Sequence, residues 1–205
     1  MIDLYSANSS NGQRVAITLE ECGVPYRLHK LDLFAGDQRK PAYLAINPGA
    51  AIPAIVDEEG PGGAPFTLAQ SGAIVVYLAE KSGRFLPRDP RARAEALQWV
   101  FQATTDVAAA SGMIFVLSRF IPDKSDANLA FFEERTLRYL RVADARLADR
   151  EHLAGELSIA DFSLYPIVAL RRPQVERAGD MPHLLRWADA LAARPALVRG
   201  MKAAE

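Results

Sequence analysis

A proline opens the apolar, β-branched run in Ala51-Ile52-Pro53-Ala54-Ile55-Val56. Proline has no N–H to give to a sheet ladder, so such a run belongs at the start of a strand or on an edge. It is also the residue before which a cis peptide bond costs least. With Ile52-Pro53 cis, the N–H and C=O of Ile52 turn outward and can pair with another peptide, in the manner of strand addition. Further along, Gln70-Ser71-Gly72-Ala73-Ile74 places a serine where a helix should begin, ahead of the apolar run Ala73 to Leu78. Helix N-termini offer unpaired N–H groups and the positive end of the helix dipole, which suit a carboxylate. A peptide-pairing edge beside a carboxylate socket points to a site for a small peptide.

The bulk properties agree. A chain of 205 residues can bury a sizeable core, as one large domain or two small ones. A net charge of −1 argues against an electrostatic nucleic-acid binder. One cysteine, Cys22, excludes an internal disulfide and any CxxC pair. Three scattered histidines, His29, His152 and His183, give a metal site little to work with, so no metal is expected. Met1-Ile2-Asp3-Leu4 lacks the basic and long apolar regions of a signal peptide. The apolar stretch Val107 to Leu117 falls short of the roughly 20 residues needed to span a bilayer. The expectation is a soluble, cytoplasmic protein with neither nucleic acid nor membrane as a partner.

The chain changes character near residue 85. Before it, Ile2 to Tyr5 reads as a strand and Asn11-Gly12 as a turn. Gln13 to Cys22 reads as a helix, closed by Gly23 in the C-cap position. Tyr26 to Leu33 reads as a second strand. Ile52 to Val56 and Phe66 to Leu68 flank a glycine- and proline-rich turn and read as a hairpin, and a helix over Ser71 to Ser82 follows. The order βαβ then ββα describes a small α/β layer. Residues 85–90 carry two prolines and read as a linker. Beyond them the pattern is helical and alanine-rich, with helices over Ala92–Phe120, Asn128–Arg150, Ser158–Leu170 and Pro182–Arg194. The expected division is 1–84, α/β, then 91–205, all-helical.

These residues together resemble the cytosolic glutathione transferases over nearly the whole chain. Asn47-Pro48 through Ile52-Pro53 resembles that family's strand with its cis-proline, and Gln70-Ser71 its acidic-or-amide-then-serine pair. Leu153-Ala154-Gly155 with Ser158-Ile159-Ala160-Asp161 resembles its buried helix signature. The start, with Ser9-Ser10-Asn11-Gly12, is similar to bacterial Nu-class members and their relatives, which often act as glutathione-dependent disulfide reductases. The resemblance implies a thioredoxin-like N-terminal domain, an all-α C-terminal domain, glutathione as co-substrate, a small electrophile or disulfide as second substrate, and a homodimer.

The chemistry such a site must perform is specific. A thiol with a pKa of about 8.5 is mostly protonated at neutral pH, and its thiolate is the nucleophile. Lowering that pKa by about two units takes roughly 2.7 kcal/mol. One or two hydrogen bonds to the charged sulfur, at about 1.5–3 kcal/mol each, could supply it. Ser9 and Ser10 carry hydroxyl donors and Asn11 an amide, and the following helix adds its positive end. The resemblance assigns these three residues to the thiolate, and Gln38, Ile52, Pro53, Gln70 and Ser71 to the rest of glutathione.

Each motif also has a structural reading. Ser-Ser-Asn-Gly is a good cap and turn, Ser71 a plausible cap, and Ser158-x-x-Asp161 a capping box. Cys22 reads as a small buried hydrophobe. Trp99, Phe101, Met113, Phe115 and Phe120 read mostly as core, with some of them expected to line the cleft that faces the α/β domain. Thr104, Thr105 and Asp106 interrupt their helix as a solvated face, a substrate wall or a dimer seam. Ala51, Gln70 and Phe131 stand where many relatives have a lysine, a glutamate and an arginine. These departures admit a second function, a non-catalytic scaffold or ligand-binding protein of the same fold.

Overall fold

The computed structural model describes residues 1–205, which fall into two compact units, Met1–Leu86 with Ala193–Glu205, and Pro87–Ala192. In the first, strands β1 (Ile2–Ser6), β2 (Tyr26–Lys30), β3 (Ala54–Asp57) and β4 (Phe66–Ala69) form one sheet in the order β2-β1-β3-β4. β1 runs parallel to β2 and antiparallel to β3, and β4 runs antiparallel to β3. Helix α1 (Ser10–Cys22) is the crossover that a parallel β1–β2 pair requires. It starts three residues earlier than the apolar pattern suggests, because Ser9 caps it by accepting the Gly12 N–H at 3.2 Å. It stops at Gly23, which takes the left-handed conformation and returns its N–H to the last turn. A short helix α2 (Pro41–Leu44) precedes β3, and α3 (Ser71–Ser82) follows β4 with the predicted bounds. Pro53 is buried just ahead of β3, so its missing N–H costs the ladder nothing.

Ile2, Leu4, Val15, Ile17, Leu19, Ile55, Ile74 and Leu78 are almost wholly buried between this sheet and its helices. Each contributes about 1.5–3 kcal/mol relative to exposure. The last helix, α9 (Pro195–Lys202), packs on α1 within the same unit. Gly200 allows this close approach, since a Cβ there would lie 2.5 Å from Ile17 N. Arg194 fastens the segment with a forked pair to Glu21, at 2.8 and 2.7 Å, and Arg199 meets Glu20 at 2.7 Å. Residues 193–205 thus join the first unit, whereas the expected division placed them with the helical one. Which unit a short amphipathic helix packs on depends on a distant partner that local periodicity does not encode.

The second unit is all-helical. Asp89 caps α4 (Pro90–Phe101), which continues through a π-helical turn (Gln102–Val107) into α5 (Ala108–Arg119). The polar interruption seen in the sequence is that turn. Thr104 and Thr105 donate to the carbonyls of Val100 and Phe101, each at 2.8 Å. The continuous run Pro90–Arg119 is long and apolar enough to cross a membrane by length and composition, longer than the Val107–Leu117 stretch alone indicates. Within the unit its buried positions Ala96, Trp99, Val100, Ala103, Val107 and Ala110 are core. Phe101, Met113, Phe115 and Phe120 lie off that stripe and are 36–60% exposed, correcting the expectation that this set is mostly core. Three further helices complete the unit, α6 (Asp126–Arg146), α7 (Ile159–Ala178) and α8 (Pro182–Ala192). α7 runs through Pro166 and Pro173, past the predicted end near Leu170.

At the start of α7, Ser158 and Asp161 form the capping box read from the sequence. Asp161 is fully buried and accepts from the N–H groups of Leu153 and Ser158 and from the Trp187 indole, at 3.2, 3.0 and 2.8 Å. Its role is structural.

Candidate active site

The strand register brings the predicted site segments to one end of the sheet. Tyr5 on β1 faces Ala54 on β3, and Ala54 faces Ala69 on β4. The chain leaving β1 therefore enters Ser9-Ser10-Asn11 beside the Ile52-Pro53 approach to β3 and beside the Gln70-Ser71 exit from β4. Ser6 faces Lys30 at the matching end of β2, and the loop that follows carries Gln38.

Ser9 is half-buried and uses its hydroxyl oxygen as the α1 cap, which leaves the hydroxyl proton as a donor. Ser10 is the first residue of α1 and Asn11 the next; the Asn11 side chain is exposed. The two N–H groups at this helix start have no partner within the chain, as the geometry of helix ends requires. Gly12 is needed here, since a Cβ would crowd Ser6 Oγ and come within 2.6 Å of the Ala7 carbonyl. The turn is a genuine cap and also a cluster of donors.

The Ile52-Pro53 bond is cis. Both backbone polar groups of Ile52 lack partners in the chain. The preceding carbonyl, of Ala51, is taken twice, by Tyr43 Oη and by Asn47 Nδ2, each at 2.6 Å. These two bonds hold the loop rigidly and leave the Ile52 edge open. Gln38 lies in a short 3-10 turn (Asp37–Arg39), donates to the Leu33 carbonyl at 3.3 Å, and keeps its buried Oε1 unpaired.

Gln70 stands at the N-cap of α3 with φ of 71°, a left-handed conformation uncommon for a residue other than glycine, and its side chain is exposed. Strain of about 1–3 kcal/mol is typical there and collects at functional positions. Ser71 is buried, and Arg14 Nη1 donates to its Oγ at 3.2 Å. Arg14 carries little signal in the sequence. Its only signal was a charged residue next to Val15 and Ile17 on the inner face of α1. It is fully buried, and Nε and Nη2 have no partner. Desolvation pulls its pKa down to about 10, so it remains a cation at neutral pH.

Cys22 is buried and burial raises its thiol pKa, as expected of an inert core thiol. Phe131 and Asp106 belong to the second unit. Phe131 is 58% exposed on α6. Asp106 lines an open cleft of about 190 Å³ with Thr105, Met113, Phe132, Arg135 and Tyr139.

Comparison with known proteins decides the family. Residues 8–81 match the glutathione S-transferase N-terminal domain, and residues 105–195 the C-terminal domain. The disulfide-bond oxidoreductase YfcG of Escherichia coli is 38% identical over 199 residues, covering 96% of this chain and 92% of the relative. The chain belongs to the glutathione S-transferase family. A second Escherichia coli disulfide-bond oxidoreductase, YghU, is 32% identical, with 97% and 73% of the two chains covered. A glutathione transferase family member from Pseudomonas fluorescens, solved with two glutathione molecules bound, superposes with a TM-score of 0.91 at 34% identity, covering 98% of this chain and 92% of its own. A transferase from Pseudomonas putida with one glutathione disulfide bound per subunit gives 0.91 at 33%, covering 98% and 90%. The transferase fold expected from the sequence, an α/β thioredoxin-like domain plus an all-α domain, is the one observed.

Proposed function

We propose that this transferase holds glutathione at the end of its sheet, activates the thiol, and directs the thiolate at a small disulfide or electrophile. Ser9, Ser10 and Asn11 carry the activation in this reading. Their hydroxyl protons, the Asn11 amide and the unpaired N–H groups of α1 are all donors, and no carboxylate stands among them to oppose a thiolate. The open Ile52 edge pairs the peptide backbone, Pro53 and Gln38 border it, and Ser71 at the start of α3 takes a carboxylate beside Gln70. The observation that carries the reading is the unpaired Ile52 peptide lying at the same sheet end as two helix N-termini.

Attack of the thiolate on a disulfide forms a mixed disulfide and releases the other sulfur as a thiolate; attack on an electrophilic carbon forms a thioether as that carbon's leaving group departs with the bonding pair. Disulfide reduction is favoured by the identity of the relatives, two of which are named disulfide-bond oxidoreductases. A homodimer in the cytoplasm is the accompanying expectation from the family. The test is calorimetric titration with glutathione and then with glutathione disulfide, followed by reduction of a small disulfide by glutathione. Binding of both and turnover are expected. Silence to both peptides would leave the scaffold reading, for which Ala51, Gln70 and Phe131 leave room.

A further inference from the structure

Arg14 presents an unusual balance. Its guanidinium is out of water, makes a single hydrogen bond, and has two nitrogens without partners. No carboxylate of the chain pairs with it. Buried cations ordinarily sit against an anion, because desolvating a lone charge is expensive. Its one partner, Ser71, sits at the amino end of α3, where the helix itself favours negative charge. The neighbouring side chain, Gln70, is neutral and brings no counter-charge. A serine hydroxyl has one proton and two acceptor sites. Since Arg14 occupies an acceptor site, that proton is left to be donated.

We propose that Arg14 is a positioning residue for the ligand carboxylate, resting on the glutathione reading above. It fixes the Ser71 hydroxyl as an outward donor to the α-carboxylate of the γ-glutamyl group, and that carboxylate becomes its missing counter-charge. Arg14 need not touch the peptide. Its charge acts through Ser71 and through the low-dielectric interior, where such fields are weakly screened. In this arrangement the carboxylate is recognised by a buried cation on α1, with Gln70 contributing no charge.

The experiment uses two peptides, glutathione and its analogue with 4-aminobutyrate in place of the γ-glutamyl residue, which lacks only that carboxylate. Wild-type protein should prefer glutathione. Arg14→Met should weaken glutathione about ten- to a hundred-fold, the range for a lost charge-assisted hydrogen bond, and leave the analogue's Kd unchanged. Arg14→Lys, which keeps the charge, should restore part of the preference. It also carries the test if the methionine variant does not fold by circular dichroism. Equal losses for both peptides, or no loss for either, would overturn the proposal and leave Arg14 a packing residue. Failure of the wild-type protein to bind glutathione at all would instead remove the reading beneath it.

Discussion

Tyr77 on α3 donates its hydroxyl to Asp57 at the end of β3 across 2.5 Å. Lys81, one turn further along α3, meets the same carboxylate oxygen at 2.6 Å, and the Glu59 N–H closes on Asp57 Oδ1 at 3.0 Å. Burial pushes the Asp57 carboxyl up, but the hydrogen bonds from Lys81, Tyr77 and Glu59, with the charge of Lys81, outweigh it and hold it below its ordinary value. Burial, and after it the contact with Asp57, pushes the Tyr77 hydroxyl up to about 12. A carboxyl held below its unfolded value contributes stability that is complete above about pH 4 and is lost as pH falls through the folded value. Wild-type protein should therefore lose stability to urea below about pH 4. Asp57→Asn should be less stable at neutral pH and show a flatter acid limb. An unchanged limb would assign the acid sensitivity elsewhere.

Asp161 offers a sharper test of packing. Alanine there strands the N–H groups of Leu153 and Ser158 and the Trp187 indole and removes a long bond from the Ser158 hydroxyl, an unpaired buried donor costing about 1–3 kcal/mol. Asp161→Ala should lower stability by about 3–5 kcal/mol or prevent folding, read by urea denaturation. Trp187→Phe, which leaves Asp161 its two backbone donors, should lose less.

Gly200 should not tolerate a side chain. Gly200→Ala drives a methyl group into the Ile17 backbone, and repacking of this kind costs about 1–3 kcal/mol. Amide exchange in α1 should quicken more than in α7, since α9 and α1 belong to one unit.

Substitutions at Ser9 and Asn11 test the cap and the proposed thiolate donor separately. Ser9→Ala removes the α1 cap and should lower stability by about 1 kcal/mol whatever the protein's activity. Asn11 makes no side-chain bond within the chain, so Asn11→Ala should leave the urea midpoint within about 0.5 kcal/mol of wild type. It should cut turnover far more than glutathione binding. Equal losses in both would remove Asn11 from the thiolate.

Much of this was legible in the chain because the signals were local. Gly23 marks a helix end by its backbone freedom, Pro53 marks the start of a strand, and Ser158 with Asp161 marks a cap, each within a few residues of its effect. The bounds of α3 follow from the same kind of signal. What could not be read depends on partners far apart in sequence. Arg14 looks like any helix arginine until Ser71 is placed beside it, and Pro195–Lys202 looks like one more helix of the second half until Gly200 is found against Ile17. Phe101 and Phe115 lie exposed while Trp99 is core for a related reason: hydrophobicity says that a side chain could be buried, and only the direction of the helix face decides whether it is.

The pairing of Arg194 with Glu21 bears on how the molecule comes into being. The first unit is not contiguous: its sheet and first helix emerge early from the ribosome, but the helix that seals α1 lies beyond the whole of Pro87–Ala192. While those residues are being made, the surface of α1 that α9 will cover has no partner in its own unit. The first unit begun is completed only after the second has been synthesised, so a ribosome stalled before residue 193 would hold a nascent chain with both halves begun and its first unit unsealed.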